Sequence, residues 1–177
     1  MDAHTRGTNT ILPLDENGLY ILLSDQDRKY HWHWSLYLHR EMLSGSTFHI
    51  ARPSAAVPWR YEDVEVRNII FSLSVTLALK IAIIPPDMDG PLRDRLARVP
   101  MGVADTKRWG PLTCRTWLLR ALSELDDEGY ISIKPSATVE EVEAEAFELA
   151  RDNATAEEGG KRLRAEDRVH HSTFSVP

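Results

Sequence analysis

The chain is short of three things: it has one cysteine, no uninterrupted apolar run of membrane length and no excess of positive charge. One cysteine cannot close an internal disulfide, so covalent cross-links do not hold this fold. The opening residues, MDAHTRGTNT, lack the basic start and apolar centre of a secretory signal, and the expected location is the reducing cytoplasm. The most apolar stretch, Ile69 to Pro86, is broken by Ser72, Ser74, Thr76 and Lys80. Crossing a bilayer takes about 20 mostly apolar residues, so no membrane span is expected. Against 27 Asp and Glu stand 21 Lys and Arg, a net charge of −6. Such a balance gives no general field for phosphate backbones, and nucleic acid is not an expected partner.

What is present is enough for one core. The 177 residues are 42% hydrophobic, with five Trp, five Tyr and four Phe, and no segment repeats. The expected organisation is a loose lead-in over 1–16, one domain over 17–152 and a polar, mobile tail over 153–177, with His170 and His171 solvated.

Alternation marks the strands. Gly18 to Ser24 is short and β-rich. In Tyr30 to His39 the residues Trp32, Trp34, Leu36 and Leu38 take one side, and His31, His33, Ser35, Tyr37 and His39 the other. Gly45 and Ser46 read as a turn leading into Thr47 to Ala51, which would bring His49 near the first histidine strand as one half of a hairpin. Val57 to Val66 alternates loosely. Ile69 to Ile84 alternates most clearly, with Phe71, Leu73, Val75, Leu77, Leu79 and Ile81 on one side. Pro85 and Pro86 end that run, and the helical spacing of Leu92, Leu96 and Val99 predicts a short helix.

From Pro111 the pattern is helical again, with Cys114 in the first turn, a stripe through Leu118, Leu122 and Leu125, and Gly129 as the cap. Tyr130 to Ile133 reads as an edge strand. Thr138 to Ala150 reads as an acidic amphipathic helix opened by a capping box of Thr138 and Glu141. The expected class is α+β: an antiparallel sheet of four to five strands packed against the helix that carries Cys114.

A thiol at a helix N-terminus sits where free backbone N–H groups and the helix dipole favour its ionised form. A histidine beside it can take the proton, and a polar group behind the imidazole fixes its tautomer. His33 and His49 are the candidates, and His31, two residues before His33 on the same side, competes for the role.

The run HWSLYL from His33 to Leu38, then FHI from Phe48 to Ile50, then a helix opening CRTW at Cys114 to Trp117, resembles the lecithin retinol acyltransferase-like group. It is also similar to fungal proteins with an HWxL…H…CxxW layout. The resemblance spans about half the chain and implies the circularly permuted NlpC and papain-like fold. It also implies His33 as general base, His49 as the residue that orients it, and Cys114 as the nucleophile that forms a thioester. Thr113 stands where the group carries asparagine. The implied reaction is acyl transfer: hydrolysis of an amide or ester, or passage of the acyl group to an amine or alcohol. Small molecules, acyl compounds or peptides are the expected partners, with no cofactor and no metal.

Trp59, Tyr61, Tyr37, His31 and Arg115 are candidate substrate contacts, Arg115 because it adjoins the thiol. Other readings stand beside these. The scaffold could serve an amide-forming or cyclising enzyme of natural-product biosynthesis, or a binding domain without catalysis. Cys114 could be a small core residue on its leucine stripe, and Trp32, Trp34, Trp59 and Trp117 plain core aromatics. His31, His33, His39 and His49 could hold a metal ion, since alternate strand positions can aim two imidazoles at one point. Oligomeric state stays open.

Overall fold

The computed structural model describes residues 11–102 and 106–176. Its main sheet is built from β1 (Gly18–Asp25), β2 (Trp32–Glu41), β3 (Ser44–Ala51), β4 (Arg60–Arg67), β5 (Val75–Ile83) and a late strand, β7 (Val169–His171). The spatial order is β4-β3-β2-β1-β5-β7, with every pair antiparallel except β5 and β7. The helices are α1 (Asp89–Ala97), α2 (Thr106–Trp109), α3 (Cys114–Asp127) and α4 (Val139–Glu158). Two short strands, β6 (Ser132–Ile133) and β8 (Ser175–Val176), pair apart from the main sheet.

The α+β class holds, with six strands in the main sheet where four to five were expected. The extra one comes from the tail. Asn153 in α4 donates to the Thr76 carbonyl at 3.0 Å and to the Asp167 carbonyl at 3.2 Å, and β7 lines up along β5 beyond it. The 153–177 segment is therefore stitched into the fold through residue 176; its low hydrophobicity hid this because its partners are backbone carbonyls. Residues 1–10 of the expected lead-in lie outside the described residues, but 11–16 are engaged. Leu12 is buried and donates its N–H to the Ile70 carbonyl at 2.8 Å, and Asp15 pairs with the buried Lys80 at 2.8 Å.

The sheet has two unlike sides. One carries Leu19, Ile21, Leu23, Trp34, Leu36, Leu38, Phe48 and Ile50, packed against Trp117, Leu118 and Leu122 of α3 and Val142 and Ala146 of α4. Full burial of such side chains contributes roughly 1.5–3 kcal/mol each, and this is where most of the apolar area leaves water. The other side holds a smaller cluster of Tyr20, Leu22, Tyr37 and Ala78, covered by Leu12, Ile70 and Ala165 instead of a helix layer.

Three local expectations change. Strand β5 begins only at Val75: Ile69–Phe71 forms a 3-10 turn, and Phe71 and Leu73 are exposed, so the apparent alternation upstream belongs to a loop. The β2–β3 turn falls at Met42 and Leu43, and Gly45 lies inside β3. Glycine is needed there because a Cβ would run into the Tyr37 hydroxyl and the Leu38 carbonyl. Helix α4 continues eight residues past Ala150, to Glu158, with Ala150 and Asn153 on its buried face. Among the described residues no helix is long and apolar enough to cross a membrane.

Candidate functional site

Helix α3 begins where Thr113 takes an extended conformation and its hydroxyl accepts from the Thr116 N–H at 3.1 Å. The Thr116 hydroxyl in turn accepts from the Thr113 N–H at 2.8 Å, which completes a capping box from two threonines. Thr113 is thus the residue that starts the helix. The cap leaves the next two donors free: among the described residues no acceptor meets the backbone N–H of Cys114 or Arg115.

The half-buried Cys114 lines a groove of about 550 Å³ between the first turn of α3, the end of the β1–β2 connection and α4. Its walls include Gln26, Tyr30, His31, Trp32 and Trp34 on the sheet side, and Thr113, Arg115, Glu143 and Phe147 on the helix side. Tyr30 has a left-handed backbone with φ of 56°, a bend that sets His31 just outside β2. Trp32 meets Phe147 edge-on with ring centres 5.4 Å apart. Arg115 pairs with Glu143, so its charge is held across the groove mouth by α4.

A second constellation forms on the far side of the sheet. His33 hydrogen-bonds through Nε2 to His49 Nδ1, and His49 Nε2 lies 3.2 Å from Glu62 Oε2. The register produces it, since Glu62 of β4 is the partner of His49 of β3, and β2 supplies His33. An ionised carboxylate can only accept, so His49 Nε2 donates to Glu62 and its Nδ1 accepts from His33 Nε2–H. The proton order leaves His33 Nδ1 with a free lone pair. That nitrogen has no partner among the described residues and is not sealed from solvent. Burial pushes the His33 pKa down to about 4, helped by the neighbouring His49 and opposed by Glu62. Burial also lowers His49, against the pull of Glu62. Both imidazoles are neutral at pH 7.

The structure thus brings the expected residues together in two halves. His33 and His49 meet as the sequence predicts, but the Cys114–His33 dyad is not assembled. The pairing of β1 and β2 is regular from Leu19↔Leu38 to Asp25↔Trp32, and successive strand residues face opposite sides. Trp32 and Trp34 point into the helix layer and line the Cys114 groove, so His33 between them points away from it. The histidine that shares the groove with Cys114 is His31.

Tyr37, a candidate substrate contact, is fully buried on the far side with its hydroxyl 3.1 Å from His39 Nδ1, and it does not reach the groove. Trp59 and Tyr61 pack on the helix-side core outside the groove lining: Arg52 covers the Trp59 ring at 4.5 Å, and Tyr61 meets Trp117 at 5.6 Å. For the four strand and turn histidines, no group of three or more metal-ligating side chains gathers among the described residues. Sequence reasoning missed Glu62, Glu143 and Phe147. Glu62 was reachable from the β3–β4 register, and the α4 residues only through the packing of α3 on α4.

No model of a known protein family matches the chain, nor does any curated protein or solved structure.

Proposed function

We propose that the chain is a cysteine-dependent acyl-transfer enzyme whose nucleophile is Cys114 and whose base is His31. The observation that carries this reading is that thiol and imidazole line one groove at a helix N-terminus whose first two N–H groups are unpartnered among the described residues. His31 takes the thiol proton, and the sulfur attacks an acyl carbonyl. The N–H groups of Cys114 and Arg115 receive the developing oxyanion, the kind of preorganised donor pair that stabilises such charge. His31 returns the proton to the leaving amine or alcohol, and water, an amine or an alcohol then releases the thioester. The aromatic walls at Tyr30, Trp32, Trp34 and Phe147 favour an apolar acyl group.

The resemblance to the lecithin retinol acyltransferase-like group supports this reading through the order of elements, a histidine strand before a helix that opens with cysteine. The assignment departs from that group at the base, where His31 replaces the strand histidine. A permuted papain-like fold is part of the same proposal.

The test is mass spectrometry of the intact protein after incubation with a panel of acyl thioesters and activated esters. We expect an adduct on Cys114 that hydroxylamine removes and that is absent from Cys114→Ser. Uniform failure of the panel to modify Cys114 faster than a free cysteine overturns the proposal.

A further inference from the structure

Glu62, His49 and His33 form a hydrogen-bonded chain across β4, β3 and β2 that the Cys114 groove does not use. Such a chain fixes one tautomer and leaves a base at its far end. The next strand supplies a hydroxyl there. Ser24 of β1 is the cross-strand partner of His33, and it shares that side of the sheet because Leu23 and Trp34 occupy the other. Directly opposed residues hold their Cβ atoms about 4.5–5.5 Å apart, and although the two side chains make no direct hydrogen bond, one bridging water or a turn of the serine side chain spans that separation. The Ser24 hydroxyl makes no hydrogen bond among the described residues.

We propose that this side of the sheet carries a second acyl-transfer site, independent of Cys114, with Ser24 as nucleophile and His33 as base. His49 and Glu62 are its positioning residues. Ser24 Oγ bonds to the carbonyl carbon of an ester while its proton passes to His33 Nδ1. The alcohol leaves with that proton. Water, losing a proton to His33, then releases the acid, and Ser24 recovers its hydrogen.

The fitting substrate class is an ester of an apolar acid. The Asp25 N–H donates to the Ser74 carbonyl at 2.8 Å, so the preceding Leu73, 78% exposed, lies at the same end of β1 as Ser24 and offers an apolar surface there. The titratable and charged groups sharing this side of β1 to β4 include Tyr20 on β1, Tyr37 and His39 on β2 and Arg60 and Glu62 on β4, of which Glu62 is hydrogen-bonded to His49. Its negative charge raises the basicity of both histidines.

The test uses full-length Cys114→Ala protein, so its failure is separable from failure of the Cys114 reading. An alkyl fluorophosphonate is the probe, because Ser24 Oγ displaces fluoride from phosphorus as it would attack an ester. Peptide mapping is expected to find the adduct on Ser24 and none in Ser24→Ala. In His33→Asn, which keeps a polar group toward His49, labelling is expected to slow about 100-fold, in the range of lost general-base catalysis. In Glu62→Gln the midpoint of the rate–pH profile is expected to move to lower pH. Absence of a Ser24 adduct, labelling at an unchanged rate in His33→Asn, or an unmoved midpoint in Glu62→Gln overturns the proposal. Matching melting temperatures and near-ultraviolet dichroism keep a misfolded variant from imitating a positive result.

Discussion

The two sides of the sheet hold complementary fragments of one familiar constellation. Among the described residues, the helix side has the thiol, two backbone donors without an acceptor and a histidine with no side-chain partner to orient it. The far side has a histidine oriented by two further groups and no thiol. Strand order alone places His33 and Cys114 in neighbouring elements. Side-chain parity then separates them, since a shift of one residue moves a whole strand pattern to the other side. Joint order of motif residues is therefore weaker evidence for a shared site than order combined with the side each residue faces.

The largest expected effect separates the two fragments outright. Cys114→Ala abolishes thioester formation, a loss of at least about 1,000-fold in acyl transfer at the groove, while fluorophosphonate labelling of Ser24 persists. Loss of both activities in that one variant merges the two sides into one site.

Acid sensitivity belongs to the far side. His33 has a folded pKa of about 4, below its ordinary 6.5. The unfolded chain therefore binds more protons as pH falls, so the stability contribution is complete above about 6.5 and declines progressively toward pH 4. Allowing for partial solvation, the loss is on the order of 2 kcal/mol. Urea unfolding at pH 7 and pH 4.5 should show His33→Gln with a smaller drop than the parent chain. An equal drop assigns the acid sensitivity elsewhere.

Smaller changes probe the helix side. Thr113→Ala removes the α3 cap and should cost about 1 kcal/mol in unfolding free energy, with slower Cys114 alkylation because the free N–H groups lose their fixed direction. Arg115→Ala breaks a half-exposed pair with Glu143 and should cost no more than about 1 kcal/mol. A larger loss makes that pair structural.

Much of the scaffold was legible beforehand. β1, β2 and β3 follow from period-two alternation, α3 from its leucine stripe, and α4 opens at the threonine cap its sequence shows. The His33–His49 contact follows from adjacent strands. What failed did so for identifiable reasons. Ile69–Phe71 imitates a strand because its apolar residues alternate by chance, with Ile70 alone buried. The tail escaped notice because it binds through Asn153, backbone carbonyls and a three-residue parallel strand. The choice between His31 and His33 turned on the bend at Tyr30, a left-handed residue that no hydrophobic period reveals.

The most direct measurement is the rate of Cys114 alkylation by iodoacetamide across pH in the parent chain, His31→Ala and His33→Ala. His31→Ala is expected to alter the profile and slow the reaction at neutral pH, while the His33→Ala curve lies on the parent curve. A profile that moves with His33 and ignores His31 contradicts the assignment of His31 as base.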